Sequence, residues 1–89
     1  MRIDFDPVKD RLNRAQHGLS LAFAKKLIWD EALVWVDNRY NYDETRMIGL
    51  VPEGNDLYYV AFVDRGEIRR AISLRNAERK EIRHYAENY

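Results

Sequence analysis

Pro52-Glu53-Gly54-Asn55-Asp56-Leu57-Tyr58-Tyr59-Val60-Ala61-Phe62-Val63-Asp64-Arg65-Gly66-Glu67 decides the fold. Its middle, residues 57–63, is the longest apolar run of the chain, seven residues that are aromatic or branched except for Ala61. That is far short of the ~18 needed to cross a bilayer as a helix. Polar, glycine-bearing tetrapeptides, residues 52–55 and 64–67, bound it on either side. Such tetrapeptides make hairpin turns. The stretch therefore predicts a central strand, buried on both faces, between two antiparallel neighbours.

Working outward, residues 68–74 and 45–51 supply the neighbouring strands, and Leu33-Val34-Trp35-Val36 a further one. Residues 37–44 are polar and read as a loop. At the front, Ile3 and Phe5 alternate with polar residues, which suits a short strand. Asp6-Pro7 is a helix start, with Asp6 as N-cap and Pro7 in the first helical position. Val8, Leu12 and Ala15 form an apolar stripe at helical spacing, and Gly18 ends the helix. Ser20 caps a second helix whose buried face is Phe23, Ala24, Leu27 and Ile28. The short link between the two predicts an antiparallel helix hairpin. Asn76 caps a last helix running from Ala77 to about Glu87. The expected class is α+β: strand, two-helix hairpin, antiparallel sheet of four or five strands, C-terminal helix.

The 89 residues fit one domain, 1–89, and a content of 46% hydrophobic and 34% charged residues is globular. With no cysteine, disulfide staples, zinc ribbons and thiol nucleophiles are excluded. There is no glycine-rich phosphate loop, no Gly-x-Ser-x-Gly and no His-Glu-x-x-His. His17 and His84 have no partner at metal-ligand spacing, so neither a metal nor a cofactor is expected. The N-terminus lacks the apolar core of a signal peptide, which predicts a cytoplasmic protein without membrane contact.

A net charge of zero hides an uneven layout. Residues 31–64 carry two basic and seven acidic side chains, residues 65–89 seven basic and four acidic. Six of the seven late cations are arginine, the cation suited to bidentate contact with phosphate. Strict alternation along 68–75 puts Arg69, Ala71, Ser73 and Arg75 on one face and Ile68, Arg70, Ile72 and Leu74 on the other. In the helix that follows, Ala77, Glu81 and Tyr85 share a stripe. A carboxylate, a phenol and arginines so placed fit RNA cleavage without metal. A base takes the 2′-hydroxyl proton, arginine stabilises the pentavalent phosphate, and an acid protonates the leaving oxygen. The competing assignment pairs Glu81 with a neighbouring arginine and packs Tyr85 on the sheet. His17 either bonds the last carbonyls of its helix or serves as acid, base or RNA contact. Lys9, Asn13 and His17 share a helix face that either pins the helix pair to the sheet edge or lines a cleft. Trp29, Trp35, Tyr58, Tyr59 and Phe62 are expected in the core. Tyr40 and Tyr42 are candidates for stacking on bases or meeting a protein partner.

Three ordered stretches resemble one family. Phe5-Asp6-Pro7-x-Lys9-x-x-x-Asn13-x-x-x-His17-Gly18-Leu19-Ser20 is similar to the opening of BrnT-type toxins. Asp37-x-Arg39 with Glu44-x-Arg46-x-x-Gly49 resembles their loop and second strand. Arg70-Ala71-Ile72-Ser73-Leu74-Arg75-x-Ala77-x-x-x-Glu81-x-x-x-Tyr85 resembles their closing signature. Tyr40 stands where the family usually has histidine, and Phe23 where it has an acid. The resemblance implies a RelE-like ribonuclease that arrests translation and is held inactive by a DNA-binding antitoxin, with two toxins and two antitoxins per complex. The expected catalytic set is Arg75, Glu81, Tyr85 and Arg70; Arg69, Ser73, Arg79, Arg83, His17 and Lys9 are expected to bind RNA. Arg70 is selected by the motif but sits on the wrong face by alternation, so either a β-bulge re-aims it or it has another role. The alternative function is a non-catalytic RNA-binding or partner-binding module.

Overall fold

The computed structural model describes residues 1–39, 41 and 43–89. Its order is β1 (Arg2–Asp4), α1 (Pro7–His17), two 3-10 segments (Leu21–Lys26 and Trp29–Glu31), β2 (Leu33–Val36), β3 (Met47–Glu53), β4 (Asp56–Arg65), β5 (Ile68–Asn76) and α2 (Arg79–Asn88). The five strands form one sheet in the order β1-β5-β4-β3-β2. β2 to β5 are an antiparallel meander, and β1 adds to β5 in parallel. No helix among the described residues is long and apolar enough to cross a membrane.

β4 is central and buried on both faces, as its composition demands: Tyr58, Val60, Ala61, Phe62 and Val63 are all buried. Both hairpins are tighter than the sequence suggests. Glu53 pairs directly with Asp56, so β3 begins later and runs further than residues 45–51. Gly54 (φ 59°) and Gly66 (φ 60°) take the positive-φ position of each turn.

One sheet face carries Val51, Tyr58, Val60, Phe62, Ala71 and Leu74, covered by Leu21, Ala24 and Leu27. Phe23 meets Tyr58, and Trp29 meets Phe62, edge to face. A Cβ at Gly49 would lie 3.3 Å from the Phe62 and Val51 side chains and 3.4 Å from Trp29, so only glycine fits under that pair without displacing it.

α1 has the predicted ends. The Asp6 carboxylate accepts from the Val8 N–H at 2.9 Å, and Gly18 (φ 72°) donates to the Arg14 carbonyl. Its buried face is different from expectation. Val8 and Leu12 are 52% and 62% exposed, whereas Asp10 and Asn13 are buried. The cause is the sheet edge. β1 pairs only Ile68, Arg69 and Arg70, and leaves the rest of β5 without a neighbouring strand. α1 fills the gap, and the edge it meets is backbone, which requires polar partners. The Asn13 amide donates to the Leu74 and Leu19 carbonyls, both at 2.8 Å, and accepts from the Leu74 N–H at 3.0 Å. Asp10 accepts from the Leu21 N–H at 2.7 Å and from the Ser20 hydroxyl at 2.9 Å. Of the Lys9–Asn13–His17 face, Asn13 thus performs the edge-pinning role.

The predicted second helix is a 3-10 segment. Ser20 caps it, accepting from Ala22 N–H at 3.1 Å. Its buried residues Leu21, Ala24 and Leu27 recur every third position, the 3-10 period, and Ile28 turns outward. The last helix starts at Arg79 rather than Ala77, because Asn76 still pairs with Tyr58 in the sheet. Its N-terminus is closed by Glu81, whose carboxylate accepts from the Glu78 N–H at 2.7 Å.

β5 holds a bulge. Ala61 pairs with Ser73 but Phe62 with Ala71, so Ile72 is an extra residue. Beyond it the alternation inverts. Arg70 joins Ser73 and Arg75 on the face away from Leu21 and Phe62, and Arg69, predicted on that face, goes to the other.

Asn13→Ala leaves the buried Leu74 N–H and C=O without partners, which costs about 2–4 kcal/mol. Leu12→Gln, on the exposed side of the same helix, should change stability by less than about 0.5 kcal/mol. Urea unfolding of the two variants checks both, and equal effects would contradict the edge-pinning account.

Candidate active site on the outer sheet face

On the face opposite the core, Tyr59, Ala61 and Val63 of β4 stand opposite Arg75, Ser73 and Arg70 of β5. α2 crosses one end of this face. The Tyr85 hydroxyl donates to the Glu31 carbonyl at 2.7 Å, the Tyr89 hydroxyl to the Asp30 carbonyl at 3.2 Å, and His84 meets the Trp35 ring edge-on at 5.7 Å. So anchored, α2 brings Glu81 to Arg75.

Arg75 and Glu81 form a two-bond fork, Nη1 to Oε1 and Nη2 to Oε2, each 2.9 Å. Nη1 also donates to the Asn76 carbonyl at 3.1 Å. The guanidinium lies 4.0 Å over the Tyr59 ring. Around this pair is a cleft of about 600 Å³, lined also by Trp35, Ile48, Asp37, Arg39 and Lys80. Asp37 is itself buried and accepts from the Arg39 side chain at 2.8 and 2.9 Å.

The electrostatics sort the groups. Burial pushes the Glu81 carboxyl up, but the Arg75 hydrogen bonds and the Glu78 N–H together outweigh it and leave the group below its ordinary value. Glu81 is therefore ionised at neutral pH. Hydrogen bonding to Glu81 raises Arg75 further above its ordinary range. Burial, partly opposed by Arg39 and Arg75, raises the Tyr59 phenol, which stays protonated. The cleft holds an anionic acceptor, a fixed cation and a neutral donor.

A second cleft, about 420 Å³, lies on the same face and is lined by Lys9, Arg46, Arg65 and Arg70 together with Asp43 and Glu44. Arg70 reaches Asp4 at 3.2 Å, and Arg65 grips Glu44 through two nitrogens. A larger depression, about 890 Å³, is elsewhere, beside Arg2 and the β4–β5 turn. Its Arg69 is engaged within the fold, paired with Asp64 at 2.7 and 2.8 Å and lying 4.2 Å over Phe62 and 4.7 Å over Trp29. Size alone is a poor guide here, because this depression has no counterpart of the Arg75–Glu81–Tyr59 set.

Of the residues singled out from sequence, Arg75 and Glu81 are together. Ser73 stands between the two clefts, while Arg70 and Lys9 line the second. Tyr85, expected beside Glu81 in the catalytic set, has its hydroxyl on the Glu31 carbonyl and stacks on Tyr89. Arg79 and Arg83 are exposed on α2 and line neither cleft; nor does His17, half-buried at the end of α1. Tyr40 and Tyr42 lie outside the described residues. Tyr59 and Trp35, expected in the core, are cleft residues instead. The signal for Tyr59 is its place opposite Arg75 across the hairpin. No group of three or more His, Asp or Glu side chains placed to hold a metal occurs among the described residues.

The family model for "Ribonuclease toxin, BrnT, of type II toxin-antitoxin system" matches residues 5–81. No curated protein matches the chain.

A carboxyl lowered by folding stabilises the fold above its unfolded value, near 4.5, and that contribution is lost as pH falls through the folded value. Wild type should therefore exceed Glu81→Gln in stability at pH 7, and the gap should narrow progressively as pH is lowered below 4.5. Urea unfolding at pH 7 and at a series of pH values below 4.5 measures it; a gap that stays constant throughout would contradict the ion-pair assignment.

Proposed function

The chain belongs to the BrnT family, the ribonuclease toxins of type II toxin–antitoxin systems, and on that premise we propose that it cuts RNA in the Arg75–Glu81 cleft without a metal. The observation that carries this is the half-buried Arg75 fork, seated on the Tyr59 ring and held by an ionised Glu81.

The scissile phosphate meets Arg75, whose bonds to Glu81 fix its plane before substrate arrives. Phosphate binding draws the fork and loosens one Glu81 oxygen. That oxygen takes the 2′-hydroxyl proton as O2′ attacks phosphorus. Arg75 stabilises the extra charge on the pentavalent intermediate. The P–O5′ bond then breaks, and a proton from Tyr59 reaches O5′. The products are a 2′,3′-cyclic phosphate and a free 5′-hydroxyl. Tyr85 is a positioning residue: its bond to Glu31 holds the helix that carries Glu81. In the cell the cut RNA stops translation.

The antitoxin silences the chain by covering this face. Since the face is lined by arginines and Lys9, the covering segment is acidic and amphipathic, opposite charge speeding the encounter and apolar anchors holding it. A dimeric DNA-binding domain on the antitoxin gives a complex of two toxins and two antitoxins.

Expressed alone, the chain should arrest growth and degrade RNA, and its antitoxin should relieve both. Purified, it should cleave RNA in EDTA and leave 2′,3′-cyclic ends. Arg75→Lys, which cannot make the fork, and Glu81→Gln should each lower kcat by about 10²–10⁴, with circular dichroism confirming the fold; Tyr59→Phe should slow release of O5′. Loss of cleavage on chelation with recovery in Mg²⁺ would overturn the metal-free mechanism. Normal rates in Glu81→Gln and Tyr59→Phe would overturn the assignment of base and acid.

A further inference from the structure

We infer that the Lys9–Arg46–Arg65–Arg70 cleft is a second phosphate subsite, holding the RNA backbone about two nucleotides from the scissile phosphate; this rests on the cleavage site proposed above. The bulge at Ile72 brings Arg70 onto the face that carries Arg75. Arg70 pairs with Val63, and Arg75 with Tyr59, four residues apart on one strand. At about 3.3 Å per residue the two arginines stand about 13 Å apart along the sheet. An extended nucleic-acid strand covers that length with roughly two nucleotides. Between them stands Ser73, opposite Ala61, a small polar residue over which a sugar can pass.

The charge of the second cleft favours a polyanion. It draws four cations from α1, β4, β5 and the segment before β3, against Asp43 and Glu44. The carboxylates already in place are exchangeable. Arg70 and Asp4 are 36% and 39% exposed, Arg65 and Glu44 53% and 46%. The single exposed Arg70–Asp4 contact contributes little to stability, so a phosphate displaces it at small cost, while Arg65 can keep its Glu44 fork. The Arg65–Glu44 fork at this cleft is 53% and 46% exposed, whereas Arg75 and Glu81 are 26% and 13% exposed, so its role is to hold and align rather than to abstract a proton. The substrate class that follows is an extended single strand long enough to reach both clefts, its unpaired backbone following the sheet face.

The test uses the full chain and an eight-nucleotide RNA with one 2′-deoxy sugar at the mapped cut, which binds without being cleaved. Methylphosphonates, which remove the charge, are placed one position at a time. In wild type, a neutral group two phosphates from the cut should weaken binding about tenfold. Arg70→Ala should weaken the all-phosphate strand about as much and lower the salt slope of log K by about 0.7. Combining the two changes should cost no more than either alone, because both remove one contact. Lys9→Ala provides an independent exposed probe at the same cleft and should behave likewise. Additive losses at every phosphate position, with Arg75→Lys still lowering kcat as above, would overturn the subsite and leave the cleavage site standing. The same holds if Arg70→Ala weakens the antitoxin complex and changes no phosphate. A chain that cuts RNA normally with Arg75→Lys would overturn the cleavage site itself.

Discussion

The side-chain amide of Asn13 holds this fold together at its weakest point. A three-residue β1 leaves most of β5 as an open edge. Asn13 answers both free groups of Leu74 with one amide and the Leu19 carbonyl with the same nitrogen, across 61 residues of sequence. A side-chain amide, like a peptide group, can donate and accept at once, as a strand would. The consequences spread from there. α1 lies against the edge with its polar side inward, Asp10 ties the following segment through Leu21, and Leu21 enters the core beneath Phe62.

Next to that contact sits the bulge, and the bulge connects fold to chemistry. Leu74 is two residues from Ile72, the extra residue of β5. Without the insertion, Arg69 would accompany Ser73 and Arg75 on the outer face, and Arg70 would point at Phe62. With it, Arg69 spreads over the Phe62 and Trp29 rings, a flat cation on an apolar wall, and Arg70 faces outward. One residue of register therefore decides which arginine supports the core and which faces outward beside Arg75.

The legible parts of the sequence are those where chemistry is local. Asp6, Pro7 and Gly18 mark α1 because capping and positive φ involve only near neighbours. The strand at residues 57–63 and its flanking turns are equally local. What the sequence hid are choices made by distant partners. Nothing near Leu12 says that the helix will dock through Asn13, since the reason is an edge 61 residues away. Leu21, Ala24 and Leu27 carry a three-residue spacing, but Phe23, Ala24, Leu27 and Ile28 fit an α-helical face as well. At the site, Arg75 and Glu81 were legible as types at a spacing. The motif singled out Arg70, and the bulge that re-aims it has no glycine to mark it. Tyr59 was hidden by its neighbours: in so apolar a strand it looks like core, and only the hairpin register sets it under Arg75.

The central claim is that the outer sheet face, with Arg75 and Arg70 and without Arg69, receives RNA. Arginine Nε–Hε resonances of the ¹⁵N-labelled chain, followed during titration with an uncleavable single strand, test it most directly. The account predicts that Arg75 and Arg70 shift together with increasing RNA while Arg69, held over Phe62, stays in place. Movement of Arg69 with Arg75 and Arg70 unchanged would contradict it.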